Sequence, residues 1–404
     1  MKTNAFIKLT FAVLLCSAFS ISAVAQTFRV VGYVPNWISV ATFANSFDYS
    51  KVSHINFAFQ NPNSAGIMTE SSTGLSTLVT KAHAAGVKVL ISLGGGGASE
   101  NATIRGYYFN LIKSANRTAF VQKISAYVDQ YNLDGVDVDL EGPAINSDYD
   151  GFVTALVASM HGNNRGKLVT AALKHDYGGN NVLNSTLQKF DFLNVMAYDA
   201  TGSWSNTPGQ HSSMSYAQTS LNFWTNKGLS KSKITLGLPF YGYGWNGDSG
   251  NKAYSAIMAK YSSAWNSDVI GNIIYYNGVA TIKSKTTYAK KNGYGGVMIW
   301  ELSNDVTGQY SLLAAINSIA TPYTSAEELS DITATSIYPN PATEVVRIQS
   351  DIDFSSVEIF DLAGMTVLQS TARDIDVQNM AAGVYVLKMS TATGEVFYHK
   401  FVKN

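Results

Sequence analysis

The stretch LDGVDVDLEGP, residues 133–143, constrains the fold of this chain more than any other. Three aliphatic residues alternate in it with three acids, in the order Val136, Asp137, Val138, Asp139, Leu140, Glu141. In an extended strand the acids share one face and the aliphatics share the other. Same-face neighbours lie about 6.6 Å apart, close enough for like charges to raise one another's pKa. We therefore predict a strand with a chemically active acidic face.

The residues that flank this row set its ends. Gly142 and Pro143 stop the strand and leave Glu141 at its C-terminal tip. Asp134 has the opposite parity, so it is interpreted as a structural residue at the start of the strand.

Short apolar runs alternate with longer amphipathic segments from Phe28 to Ile319. The runs are 30–34, 52–59, 87–93, 135–140, 168–172, 192–197, 234–239 and 296–300. Helical candidates between them include 74–85, 116–131, 148–161, 213–227 and 280–292. This alternation predicts an α/β fold, a closed (β/α)8 TIM barrel with parallel strands buried on both faces. A doubly wound open sheet is the alternative, but no Gly-x-Gly-x-x-Gly follows the first run.

The composition excludes some classes of partner. The 28 basic and 28 acidic residues give a net charge of zero, so the chain lacks the basic surface that nucleic acids or anionic membranes attract. Aromatic residues make up 12%, with 23 Tyr and 6 Trp. This surplus fits a surface that stacks on sugar rings or other flat apolar faces.

The N-terminus predicts export. Residues 1–25 combine an early lysine, an apolar run and the small-x-small triplet Ala23-Val24-Ala25, as in a secretory signal peptide. Cys16, the only cysteine, lies inside this segment, so the mature protein is expected to have no disulfide and no cysteine ligand. The six histidines show no metal-binding spacing, and we expect neither a metal nor another cofactor.

The character of the sequence changes after residue 320. Residues 321–331 read as a short polar linker, and residues 332–404 alternate with period two between turn signals at 363–364, 382–383 and 393–394. They predict a small all-β, sandwich-like C-terminal domain. Residues 26–320 would form the barrel domain.

Polar and aromatic residues follow the predicted strands where a barrel enzyme has its active site. Beyond the acidic row, the candidates are Tyr33, Phe59, Ser92, Met196, Tyr198, Asp199, Tyr241 and Trp300.

Several of these motifs together resemble glycoside hydrolase family 18, the chitinase family. Residues 134–141 are similar to its Asp-x-x-Asp-x-Asp-x-Glu signature. Residues 92–95 resemble its Ser-x-Gly-Gly, residues 196–199 its Met-x-Tyr-Asp, and Trp300 the tryptophan that ends its eighth strand.

The resemblance implies a secreted chitinase that retains configuration by substrate-assisted catalysis. Glu141 would be the general acid and base, and Asp139 would orient the acetamido group and share a proton with Asp137. Tyr198 and Asp199 would hold the acetamide. The remaining residues would complete the substrate-binding site. Tyr33 and Ser92 would tune the acids, and Trp300 would form the floor under the −1 sugar. The cleft would also be lined by Phe59, Met196 and Tyr241.

Other activities stay open at this point. An endo-β-N-acetylglucosaminidase acting on N-glycan cores shares the acid motif, whereas a chitin-binding lectin on this barrel usually lacks the acid; peptidoglycan trimming is a third possibility. About fifty residues separate the seventh and eighth strands and must also hold the seventh helix, which leaves room for only a small insertion. We therefore expect an open cleft and internal cutting of a polymeric substrate. We also expect the enzyme to be a monomer.

The C-terminal region has its own resemblance. Residues 337–342, IYPNPA, and the later segments 357–364 and 382–385 are similar to the C-terminal sorting domain of type IX secretion substrates in Bacteroidetes. This implies the type IX secretion machinery as a partner and an extracellular or cell-surface location. A small chitin-binding module is the alternative.

Overall fold

A computed structural model describes residues 28–320, 335–350, 353–361, 366–391 and 396–404. The chain divides into two compact units, Met1–Thr321 and Pro322–Asn404. The predicted signal peptide and linker lie outside the described residues, as do the turns predicted at 363–364 and 393–394. In the described ranges, no helix is both long enough and apolar enough to cross a bilayer.

The first unit is built on a closed barrel of eight parallel strands, which confirms the predicted (β/α)8 fold. The barrel strands are β1 (Arg29–Pro35), β2 (His54–Gln60), β3 (Lys88–Gly94), β4 (Gly135–Asp139), β5 (Leu168–Leu173), β6 (Phe192–Val195), β7 (Ile234–Pro239) and β12 (Gly296–Trp300). The barrel closes in the order β1-β12-β7-β6-β5-β4-β3-β2. Strand β4 therefore lies on the side opposite β12.

Helices connect the strands. They are α1 (Val40–Ser46), α2 (Leu75–Ala84), α3 (Gly96–Glu100), α4 (Ala102–Leu111), α5 (Arg117–Gln130), α6 (Tyr149–His161), α7 (Asn184–Lys189), α8 (Met214–Asn226), α9 (Tyr254–Lys260), α10 (Val279–Lys291) and α11 (Leu312–Ala320). Their apolar faces pack on the outer surface of the barrel, where the large hydrophobic core lies.

The alternation predicted for the acidic strand is present. Val136 and Val138 point into the apolar layer between strands and helices. Asp137 and Asp139 have the opposite parity and are 0% and 3% exposed. The carboxyl of Asp134 binds at the other end of the strand, where it lies 2.7 Å from His83 Nε2 and accepts the Val89 amide at 2.8 Å. These contacts fit the structural role expected of Asp134.

A small antiparallel sheet is inserted between β7 and β12. Its strands are β8 (Tyr241–Gly244), β9 (Gly250–Ala253), β10 (Val269–Ile270) and β11 (Ile274–Tyr275), in the order β10-β11-β8-β9. The insertion also holds α9 and precedes α10, the predicted seventh helix. It begins at the rim of the barrel and carries Tyr241 and Tyr243 beside the strand ends.

The second unit is all-β, as predicted. Its strands are β13 (Thr335–Tyr338), β14 (Val345–Ser350), β15 (Ser356–Phe360), β16 (Thr366–Ser370), β17 (Asp374–Asp376), β18 (Gly383–Ser390) and β19 (Val396–Lys403). They form a three-stranded sheet, β13-β14-β17, and a four-stranded sheet, β16-β15-β18-β19. Val346 and Ile348 from the first sheet share one buried cluster with Val357, Leu387 and Phe401 from the second, as in a sandwich.

Candidate active site

A cavity of about 640 Å³ opens at the C-terminal ends of the barrel strands. This volume lies within the range of small-ligand sites. The cavity is lined by Tyr33, Phe59, Gly96, Ser99, Glu100, Asp139, Glu141, Ala172, Lys174, Tyr177, Met196, Tyr198, Asp199, Ala200, Trp204, Tyr241, Tyr243, Asn251 and Trp300. Nine of the eleven predicted site residues are in this lining. The other two, Asp137 and Ser92, are fully buried below it.

Asp137 is the centre of a polar layer inside the barrel. Its Oδ2 atom accepts hydrogen bonds from Tyr33 Oη at 2.7 Å and Ser92 Oγ at 2.8 Å. Its Oδ1 atom accepts bonds from Thr170 Oγ1 at 2.6 Å and Asn194 Nδ2 at 3.2 Å. Burial raises the pKa of Asp137, and these four hydrogen bonds oppose that rise. The donors fix the orientation of the carboxyl.

Asp139, two residues further along β4, is turned toward Glu141. The two carboxyls share a side-chain hydrogen bond, while Asp139 Oδ1 is buried without a hydrogen-bond partner. Burial, the negative charge of Glu141 and that of Asp137 raise the pKa of Asp139 well above its ordinary value. The pair therefore retains a proton between its carboxyls near neutral pH.

Glu141 follows β4 in extended conformation, with φ −117° and ψ 154°. Burial and the negative charge of Asp199 raise its pKa to about 7, against the opposing effects of Lys174 and the hydrogen bond with Asp139. A carboxylic acid with this pKa, positioned at a cleft, can donate a proton near neutral pH and accept it back.

Asp199 is the centre of a second cluster, at the end of β6. Its Oδ1 atom accepts hydrogen bonds from Tyr241 Oη at 2.5 Å and Tyr243 Oη at 3.1 Å. The fully buried His211 places Nδ1 3.4 Å from both Oδ1 and the backbone nitrogen of Asp199. The backbone of Asp199 is left-handed, with φ +59°. These contacts fix the carboxylate against the phenols.

Aromatic rings line the opposite side of the cavity. Trp300 stacks on Phe59 at a centroid distance of 5.5 Å and meets Tyr33 edge-on at 5.4 Å. Trp37, which is 64% exposed, lies 6.3 Å from Trp300 and 6.4 Å from Phe59. Tyr198 is buried, and its hydroxyl faces Met298 Sδ at 3.7 Å. This side offers apolar faces of the kind that pack on sugar rings.

Sequence reasoning missed several residues of the site. Thr170 and Asn194 lie 33 and 57 positions from Asp137, and nothing local marks them as its donors. His211 is one of the six histidines whose spacing in the sequence indicates no site. Tyr243 could have been found, because it shares strand parity with Tyr241. No group of three or more potential metal ligands occurs in the described part of the chain.

Comparison with known proteins identifies the barrel. The sequence profile of glycosyl hydrolases family 18 matches residues 29–305. The chain belongs to glycosyl hydrolases family 18. The predicted family and the prediction of a glycoside hydrolase are thereby confirmed.

Similar proteins include chitinases from an animal and from bacteria. The chain is 30% identical to an endochitinase of Brugia malayi, over 68% of each protein. It is 38% identical to the GH18 chitinase ChiB from the chitin utilization locus of Flavobacterium johnsoniae, with a TM-score of 0.67 over 74% of this chain and 95% of that one. A chitinase from Bacteroides thetaiotaomicron is 28% identical, with a TM-score of 0.62 over 72% of this chain and 96% of that one.

The second unit also has a match. A secretion system C-terminal sorting domain matches residues 336–404. This confirms the predicted type IX sorting domain and the expected export of this family 18 enzyme to the cell surface or beyond.

Proposed function

We propose that this family 18 enzyme is a chitinase that hydrolyses β-1,4 bonds between N-acetylglucosamine units with retention of configuration. The observation that carries the proposal is the Asp139–Glu141 pair. One carboxyl of the pair has a pKa near 7 at the cleft, and the other has a buried oxygen with no partner. Similarity to chitinases of Brugia malayi, Flavobacterium johnsoniae and Bacteroides thetaiotaomicron supports the substrate class.

In the first step the substrate supplies its own nucleophile. The carbonyl oxygen of the 2-acetamido group bonds to C1 as the bond from C1 to the leaving oxygen breaks. The electron pair of that bond goes to the leaving oxygen, which takes the proton of Glu141. The unpartnered Oδ1 of Asp139 accepts the acetamido N–H and directs the carbonyl toward C1. The product is an oxazolinium ion.

In the second step water opens the oxazolinium ion at C1 on the face that the leaving group vacated. The Glu141 carboxylate takes a proton from this water and is restored as the acid. Configuration is retained because C1 is inverted twice. Family 18 differs in this respect from hydrolases that use two carboxylates.

Asp137 acts below the pair. Its four hydrogen bonds hold it in one orientation, and its negative charge raises the pKa of Asp139. Asp139 is paired with Glu141 in this structure, so proton sharing between Asp137 and Asp139 would need a rotation of Asp139. That sharing stays a prediction.

Other site residues bind the −1 sugar. The phenol of Tyr198 and the Asp199 carboxylate contact the acetamido group, and Trp300 forms the floor under the pyranose ring. Burial and the negative charge of Asp199 raise the pKa of Tyr198 well above its ordinary value, so its phenol remains a hydrogen-bond donor. The lining of this sugar site is completed by Tyr33, Phe59, Met196 and Tyr241.

The small size of the insertion between β7 and β12 favours cutting within the polymer rather than at its ends. Apart from α10, the insertion between β7 and β12 consists of the four short strands β8–β11, helix α9 and one 3-10 turn at Ala264–Asn266. An open cleft accommodates an internal stretch of polymer, so we expect endo cutting. On a soluble chitin derivative, viscosity should fall early, before many reducing ends appear; a proportional fall would contradict endo cutting.

The proposed function is tested on two substrates. Purified protein is incubated with N-acetylglucosamine oligomers and, separately, with a high-mannose glycopeptide. We expect release of shorter oligomers and no cleavage of the glycopeptide, with Glu141→Gln inactive on both. Cleavage of the glycopeptide alone would favour the endo-β-N-acetylglucosaminidase alternative. Binding without any cleavage would favour a lectin, and full activity of Glu141→Gln would refute the assigned acid.

A further inference from the structure

A buried lysine on α10 has no part in the proposed mechanism. The side chain of Lys285 is fully buried. Its Nζ atom donates to the carbonyl oxygen and to the Oγ atom of Ser212, both at 2.6 Å, and to Asn277 Oδ1 at 2.7 Å. Three acceptors need three N–H donors, which the ammonium has and the neutral amine lacks. The geometry therefore fits Lys285 as a cation that is bound by neutral groups.

Burial of this cation costs free energy. Burial lowers the pKa of Lys285 to about 7, and the negative charge of Asp268 opposes the decrease. The Asp268 carboxyl accepts hydrogen bonds from the Gly278 amide at 2.7 Å and from Thr281 Oγ1 at 2.5 Å, so its oxygens serve the start of α10. A charge kept in this setting indicates a role beyond packing.

Residues 211 and 212 connect this lysine to the backbone around Asp199. Ser212 Oγ, which accepts from the ammonium, donates to the carbonyl of Ala197 at 2.7 Å. The Ala200 amide donates to the carbonyl of His211 at 3.0 Å. The Asp199 amide donates to Nδ1 of the same histidine at 3.4 Å. The left-handed backbone of Asp199 is therefore held from both sides.

The neutral form of His211 suits these contacts. Its Nε2 atom lies 3.3 Å from the carbonyl oxygen of Tyr241, which can only accept, so Nε2 carries the proton and Nδ1 can accept the Asp199 amide. A second proton, on Nδ1, would pair the ring with Asp199 Oδ1 and weaken the negative charge that acts on Glu141. Burial lowers the pKa of His211, Asp199 opposes the decrease, and the positive charge of Lys285 adds to it. The lysine therefore favours the neutral ring.

We propose that Lys285 is a positioning residue for catalysis, which holds His211 and, through it, the carboxylate of Asp199 against the reacting sugar. The inference rests on the proposed function, in which Asp199 contacts the acetamido group. Lys285 does not line the cavity, so it acts through the residues between them. Its loss should loosen the backbone of Asp199 and let His211 take up a proton. Both changes weaken the action of the Asp199 charge on Glu141.

A double-mutant cycle tests this link, with chitotetraose as substrate. Lys285→Met should reduce kcat/KM about tenfold in the wild type but less than about twofold in Asp199→Asn, because the first change acts through the second residue. The alkaline limb of the pH profile should move to lower pH in Lys285→Met and should move no further in the double variant than in Asp199→Asn. Lys283 is exposed on the same helix, so Lys283→Met is the matched control and should leave rate and limb unchanged.

A smaller change keeps the proposal testable if Lys285→Met does not fold. Ser212→Ala removes only the hydroxyl between Lys285 and Ala197, and it should move the limb in the same direction, with a loss of rate that is again smaller in Asp199→Asn. An unmoved limb, or an equal loss of rate in the wild type and in Asp199→Asn, would show that Lys285 only stabilises the barrel and would overturn the proposal. Unchanged rates would overturn it as well. Failure of the wild type to cleave chitotetraose would refute the proposed function instead.

Discussion

Strands β4 and β14 both alternate aliphatic and polar residues, yet β14 buries only its aliphatic face whereas β4 buries both faces. In β14, Val346 and Ile348 are buried, whereas Arg347 and Gln349 are exposed to solvent. In β4 all five residues are buried, including Asp137 and Asp139. A period of two identifies the strand in both cases, but it does not tell whether the polar face meets water.

The polar faces of the two strands differ in the free energy of folding that they cost. Exposed polar residues of a β-sandwich keep their hydration, whereas a buried carboxyl loses it and destabilises the fold unless hydrogen bonds compensate. In the barrel, four hydrogen-bond donors compensate the burial of the Asp137 carboxyl. One oxygen of the Asp139 carboxyl has no such donor. An interior of this kind is expected where substrate makes the missing contact.

The same substitution in the two regions gives the largest predicted contrast. Glu141→Gln removes the transferable proton and should reduce kcat about 10²–10⁴-fold. Glu358 is the matched residue in β15, where it pairs with Lys388 Nζ at 2.7 Å. Glu358→Gln should leave kcat unchanged and reduce stability by no more than about 1 kcal/mol. Steady-state hydrolysis of chitotetraose measures the first effect and calorimetry the second.

A comparable loss of kcat in both variants would contradict the assignment of the chemistry to the barrel. Retained activity in Glu141→Gln would exclude this residue as the acid.

A second pair of variants compares stability. Asp137→Asn replaces an acceptor of four hydrogen bonds by a group with one acceptor and one donor end, so it should destabilise the barrel by about 1–3 kcal/mol. Asp374 in β17 is exposed, and Asp374→Asn should stay within about 0.5 kcal/mol. All six tryptophans lie between residues 37 and 300, so their fluorescence follows barrel unfolding in denaturant. Equal stability of Asp137→Asn and wild type would show that the donors do not hold a charged carboxylate.

The pH dependence of catalysis follows from the raised pKa of Glu141. The pKa in the folded protein is about 7 against an ordinary 4.5, so the acid is protonated below pH 7 and loses its proton above it. We expect kcat/KM to fall about tenfold per pH unit on the alkaline side of this value. A profile on chitotetraose that falls instead from pH 4 to pH 6 would show that Glu141 acts as an ordinary, ionised carboxylate.

Substitution of two charged neighbours of Glu141 should shift the alkaline limb of the pH profile of kcat/KM by smaller amounts. The two shifts should be in opposite directions. The negative charge of Asp199 raises the pKa of Glu141, and Lys174 lowers it. Asp199→Asn should therefore shift the limb to lower pH, and Lys174→Met should shift it to higher pH. The position of the limb is separate from the rate, which we also expect Asp199→Asn to reduce. Shifts of the same sign in both variants would contradict this account of the electrostatics.

Much of the fold could be predicted because buried parallel strands must be apolar. The predicted run 234–239 coincides with β7, and 296–300 coincides with β12. The run 192–197 is longer than β6, which ends at Val195. There the apolar character continues into the residues that lead to Asp199, so composition does not mark the end of the strand.

The site was less accessible to prediction than the fold. Asp137 and Asp139 stand in β4, and Glu141 follows it in extended conformation, so their shared face follows from a period of two. The donors Thr170 and Asn194 come from β5 and β6, and only closure of the barrel brings them to Asp137. Tyr177 gives no local sign of its contact with Gly142, since that contact depends on the path of a connection rather than on a repeating pattern.

The central claim is that the buried acids serve a nucleophile that belongs to the substrate. It is tested most directly with one chitobioside carrying an N-acetyl, N-fluoroacetyl, N-difluoroacetyl or N-trifluoroacetyl group on the −1 sugar. Each fluorine makes the carbonyl oxygen a weaker nucleophile while changing the size of the group little. The account predicts that kcat/KM falls steeply at each step of the series. A rate that is nearly independent of fluorination would contradict it and indicate a nucleophile supplied by the enzyme.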